Sequence, residues 1–98
     1  MPPYTAAAIE GELVAIQEAE PKTAKAQIAA AAFQIGRWCG GGYVVEREAK
    51  RTIWKIANAS GVIELIGRDA AKAIITEHFS RGARKPRHVP ATQGLKNG

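Results

Sequence analysis

The stretch Glu46 to Arg87, EREAKRTIWKIANASGVIELIGRDAAKAIITEHFSRGARKPR, decides how the chain is read. It predicts two helices in tandem that end in a cluster of cations. Arg47, Glu48, Ala49, Arg51, Ile53 and Gly61 are answered in order by Arg68, Asp69, Ala70, Lys72, Ile74 and Gly82. Each unit opens with charge, carries an apolar stripe and closes on a glycine, which describes two helices of like design. Two copies are too few for a solenoid, and two amphipathic helices align this well by chance about as often as not.

Within the stretch, a helix over about Glu46 to Ala59 would bury Ala49, Ile53, Ile56 and Trp54, with Glu46 and Glu48 at the positive end of its dipole. Arg47, Lys50, Arg51 and Lys55 are left on neighbouring outward positions as a ridge of like charge. Such a ridge costs some stability unless an anion answers it; the alternative is a plain solvated face. The segment Val62 to Ile66 fits a short helical turn or an extended connector equally well. A further helix then starts at Gly67 to Asp69, with Ala71, Ile74, Ile75, His78 and Phe79 as its core stripe and Gly82 as its stop. Beyond it, Arg81, Arg84, Lys85 and Arg87 gather at a negative helix end, where cations gain from the dipole whatever else they do. Residues 88–98, rich in turn-formers, read as a flexible C-terminal tail.

Toward the N-terminus, Pro2 and Pro3 suit a helix entrance, and Ile9, Leu13 and Ile16 set the stripe of a helix over about Tyr4 to Glu18. Pro21 breaks it, and Thr23 is placed to cap the next helix, which runs to about Cys39 with Ile28, Ala31 or Ala32, Ile35, and Trp38 or Cys39 inward and Phe33 on a flank. The run Ala29 to Ala32 leaves a face on which a neighbour can lie close. Gly40, Gly41 and Gly42 read as a stop. A glycine triplet also lets a phosphate approach the backbone, but the Gly-Lys-Ser/Thr ending of a nucleotide-binding loop is absent.

The sum is an all-α chain: a small bundle of four main helices over residues 1–87, followed by the tail. Nineteen alanines against six aromatic residues suit closely approaching helices better than a sheet. Ninety-eight residues hold one modest core and no separate catalytic domain. The net charge of +5 is held unevenly, with −2 over residues 1–46 and +7 over 47–98, which favours a polyanionic partner for the later half. A single cysteine, Cys39, excludes an internal disulfide and suits a cytoplasmic setting. No apolar run reaches the roughly 20 residues of a membrane span. The lone aspartate, Asp69, sits beside Arg68 and Lys72, so the clustered carboxylates of two-metal phosphoryl transfer are missing, and no enzyme is expected.

Two segments carry a family likeness. Ala31-Ala32-Phe33-Gln34-Ile35-Gly36 and His78-Phe79-Ser80-Arg81-Gly82-Ala83-Arg84-Lys85-Pro86-Arg87 resemble the second and last elements of the helix-bundle domain that follows the catalytic domain in bifunctional DNA primase/polymerase proteins of phages, plasmids and mobile elements. The resemblance spans about Thr5 to Arg87. It departs near the start of the second helix, where Ala24-Lys25 and Ala29 stand in place of the family's Arg-Asn and a further Asn. It implies a non-catalytic accessory domain that helps hold single-stranded DNA template and initiating nucleotides, ATP or another NTP with Mg, beside a primase catalytic domain or helicase. It carries phosphate contact onto Arg84, Lys85 and Arg87, while Arg81 and the ridge Arg47, Lys50, Arg51 and Lys55 join by charge. The alternative is a docking module of a replication protein that touches no nucleic acid.

Overall fold

The structure is a computed structural model and describes residues 1–90. Five α-helices follow one another: α1 (Pro3–Gln17), α2 (Ala24–Gly40), α3 (Glu46–Ala59), the single-turn α4 (Val62–Ile66) and α5 (Arg68–Ala83). A short 3-10 turn, Pro21–Thr23, leads into α2. There is no strand among the described residues. The all-α expectation therefore holds, and residues 62–66 take the helical option.

The direction of each helix follows from which residues meet. The Tyr4 ring meets Trp38, so α1 and α2 form an antiparallel hairpin. Gly36 backs onto Phe79 and Gly40 onto Ala83, so α2 and α5 run parallel. The Lys50 ammonium lies over Phe79, and Arg68 over Trp54, so α3 runs antiparallel to α5. Helix α2 is the hub. Its Ile28, Ala31, Ala32 and Ile35 are buried together with Ile16 of α1, Ile53 of α3, Ile63 of α4 and Phe79 of α5. Each of these isoleucines and the phenylalanine contributes roughly 1.5–3 kcal/mol by leaving water, and each alanine less.

The α2–α5 contact depends on residues without side chains. A Cβ placed on Gly82 would stand 2.0 Å from the Phe33 carbonyl oxygen, and one on Gly36 would stand 2.3 Å from that of Phe79. Gly82 is thus a site of close approach inside a helix that continues to Ala83, and the stop expected of it is corrected. Its repeat counterpart Gly61 behaves differently. It ends α3 in the left-handed region at φ 84°, which only glycine adopts without strain. Thr23 holds the N-cap position of α2 but does not cap it; its hydroxyl donates instead to the Glu20 carbonyl at 3.3 Å.

Candidate nucleic-acid interface

At 100° per residue, Arg47, Lys50, Arg51 and Trp54 share one face of α3, while Val45, Glu48, Ala49 and Thr52 share the opposite one. Two recesses result, one on each side of the helix. On the first side, Arg47, Lys50, Arg51 and Trp54 face Lys72, Ile75 and Thr76 of α5 across a groove of about 250 Å3. The groove continues into a second hollow lined by Trp54, Arg68, Asp69 and Lys72. Trp54 is half-buried and common to both, with the Arg68 guanidinium 5.4 Å from its ring centre. Like Ala49 and Ile56 of the same stripe it packs against the core without being fully buried, and its uncovered part forms a floor between cations.

Charge on this face is only partly answered from within. Lys50 donates to the Glu46 carboxylate at 2.7 Å, an exposed pair one helical turn apart. No ion pair of Arg47, Arg51, Arg68 or Lys72 is formed among the described residues. A half-buried aromatic ring ringed by guanidinium and ammonium groups is what an unstacked base and its flanking phosphates need. Lys55 is exposed and lines neither recess.

The second group of cations sits at the other end of α5, where its C-terminus lies against that of α2. Residues 84–89 fold back as a strap. Arg37 Nε donates to the Lys85 carbonyl at 2.8 Å, and the Arg87 amide donates to the Arg37 carbonyl at 3.0 Å. The Arg87 guanidinium stacks 4.7 Å from the Trp38 ring centre and 6.0 Å from that of Tyr4, while the Val89 amide donates to the Tyr43 hydroxyl at 3.0 Å. Arg81 is paired with Glu77 at 2.7 Å. Arg84 and Lys85 are exposed. The tail expected from residue 88 thus begins inside this strap; residues 91–98 lie outside the described ones.

The eight predicted contact residues therefore divide. Arg47, Lys50 and Arg51 are brought together in the groove, whereas Arg81, Arg84, Lys85 and Arg87 belong to the far end; Lys72 and Arg84 alone are separated by roughly 18 Å along α5 at 1.5 Å per residue. Reading the sequence missed Arg68, Lys72 and Trp54 as groove residues. The signal was present in the repeat: Arg68 and Lys72 are the counterparts of Arg47 and Arg51. Antiparallel packing of the two copies turns the matched pairs toward one groove.

Two titrating groups are displaced from their ordinary range. Burial pushes the Cys39 thiol up, Glu46 adding to the effect and Lys50 opposing it, which favours its protonated form. Burial also raises the Glu12 carboxyl, against the pull of Arg87. Among the described residues, no three His, Cys, Asp or Glu side chains are grouped to hold a metal ion, and no helix is long and apolar enough to cross a membrane.

On the opposite side of α3, a pocket of about 440 Å3 is walled by Ile9, Ile35, Val44, Val45 and Ala49, with Glu48 and Thr52 at its edge. In comparisons with known proteins, the chain matches no family model, no curated protein and no solved structure.

Proposed function

We propose that this is an accessory helical domain that binds single-stranded nucleic acid and nucleotide phosphates in the α3/α5 groove. The observation that carries the reading is the meeting of Arg47, Arg51, Lys72 and Arg68 around the half-buried Trp54. A base stacks on the indole once Arg68 swings aside, and the cations follow the backbone on either side of it. The domain holds and performs no transfer of its own. The sequence likeness to primase helix bundles supplies the setting: template and an initiating triphosphate, its Mg arriving with the phosphates, held beside a catalytic domain.

The test is a titration of the protein with a short single-stranded oligonucleotide over a range of salt. With about four phosphates engaged, log affinity falls against log salt with a slope of roughly −3, and replacing Arg47, Arg51 and Lys72 by Ala flattens that slope by about 2. Binding that survives the triple change with its slope intact removes the groove from consideration. Stimulation of dinucleotide synthesis by a primase catalytic domain, with and without this domain, tests the setting separately.

The apolar pocket on the other side of α3 favours a second reading, a module that docks a replication partner. Apolar contact persists at salt concentrations that screen phosphate contacts, so retention of a candidate helicase or primase at about 1 M salt separates the two.

A further inference from the structure

The densest set of specific contacts outside the groove is the one around Arg87, and it has the form of a receptor with its ligand in place. The Trp38 and Tyr4 rings meet edge to face at 69°, and Trp38 and Tyr43 do so at 86°. The Arg87 guanidinium lies within 6.0 Å of both the Trp38 and the Tyr4 ring centres and reaches the Tyr4 hydroxyl at 3.4 Å. Aromatic faces with a hydroxyl acceptor recognise a planar cation, and guanidinium stacks on them better than ammonium does. The Glu12 carboxyl feels the same cation, whose charge works against the rise that burial causes in its pKa.

The strap is held by polar contacts, by its backbone against Gly41 and by the His88 ring against Tyr43, and none of its side chains is fully buried. Arg84, Lys85, Pro86 and His88 are exposed, and only Arg87 and Val89 are partly covered. The Arg84 and Lys85 amides donate to the Arg81 and Gly82 carbonyls as the chain leaves α5, and four further hydrogen bonds fix its course: Arg37 to the Lys85 carbonyl, the Arg87 amide to the Arg37 carbonyl, the Arg87 guanidinium to the Tyr4 hydroxyl and the Val89 amide to the Tyr43 hydroxyl. No large apolar side chain anchors it. The arginine is therefore the principal side-chain anchor, and the slot it fills belongs to α1 and α2.

We propose that Tyr4 and Trp38, backed by Tyr43, form a guanidinium-binding site, and that residues 84–89 are a detachable strap which fills it in cis with Arg87. The ligand it takes when the strap is off is an arginine presented by another protein chain. Tethering gives Arg87 an effective concentration of about millimolar or more, so the incoming arginine needs additional contacts, or a displaced strap, to win. This inference concerns the far end of α5 and stands whether or not the groove binds nucleic acid.

The experiment uses Trp38 emission in a Trp54→Phe background, with N-acetyl-arginine amide as the probe. Arg87→Ala empties the slot: Trp38 emission moves to longer wavelength and the melting temperature falls. Probe at tens of millimolar reverses both changes in Arg87→Ala, leaves the parent unmoved, and loses its effect when Tyr4→Ala is added; N-acetyl-lysine amide at equal ionic strength does much less. Should Arg87→Ala not fold, Arg87→Gln, which keeps an unbranched stem against Trp38, takes its place. Unchanged Trp38 emission in the folded variant, absence of a probe response, or an equal response in the parent overturns the proposal.

Discussion

The groove and the strap end are both rich in cations, yet they use them in opposite ways. Around the groove, Lys50 has a carboxylate partner, while Arg47, Arg51 and Lys72 line an open hollow floored by Trp54. At the strap end Arg84 and Lys85 are exposed, but the other charges have partners within the fold. Helices α2 and α5 run parallel, so two C-termini, each equivalent to about half a negative charge, lie side by side. Arg37 and Arg87 bind carbonyls and rings at that pole, and Arg81 is paired with Glu77. Counting lysines and arginines along a sequence therefore overstates the charge offered to a ligand, because the fold assigns part of it to helix ends and aromatic faces.

The contrast is broken most severely by Gly82→Ala. Its methyl group would meet the Phe33 carbonyl at 2.0 Å and the Arg37 amide nitrogen at 3.0 Å, both backbone atoms with no freedom to turn away. A loss of about 3 kcal/mol or more is expected in urea unfolding, since α2 and α5 must separate and the strap loses its seat. Gly11→Ala, with nothing within 4 Å of the added methyl, gains about 1 kcal/mol from helix propensity instead.

Oligonucleotide binding sharpens the comparison next. Replacing Arg47, Arg51 and Lys72 by Ala lowers affinity on the order of tenfold or more at low salt, while Arg84→Ala with Lys85→Ala changes it less than about threefold. Equal losses from both sets would show that the two ends act as one surface.

A smaller effect depends on pH. The folded-state pKa of Glu12 lies above its unfolded value, so the folded chain holds the proton more tightly, and the stability this contributes is lost as pH rises through the folded pKa. Glu12→Gln should melt slightly higher than the parent at pH 7 and equally at pH 4, and the gap should widen when Arg87, the opposing charge, is also removed. The smallest effect belongs to Glu77→Ala, which breaks an exposed pair one turn apart on α5 and should cost about 0.3–0.5 kcal/mol in a denaturant titration.

Much of the architecture was legible in the sequence. The 3.6-residue stripes placed α1, α2, α3 and α5 to within a residue or two, because an apolar face at i, i+3 and i+4 leaves a helix few alternatives. Partnership was not legible. Periodicity marks Ile53 as inward-facing but does not say what it meets, and Trp54, at the margin of the same stripe, turned out to floor a groove. Nor do glycines announce their reason: Gly61 and Gly82 match in the repeat, yet one supplies a left-handed turn and the other bare backbone for a neighbour. Arg87 was legible as a cation at a helix end, whereas its stacking on Trp38 needed α1, α2 and the strap brought to one place.

The glycine contacts also bear on how the chain reaches its fold. Gly36 and Phe79 touch through bare backbone although 43 positions separate them. Closing a loop of that length before any reward is collected slows assembly relative to bundles whose helices pack in chain order. The α1–α2 hairpin can form early, but the hub acquires its tightest neighbour only when the last helix arrives. A chain emerging from the ribosome must therefore wait, with the small-residue face of α2 uncovered, until residue 83 is free.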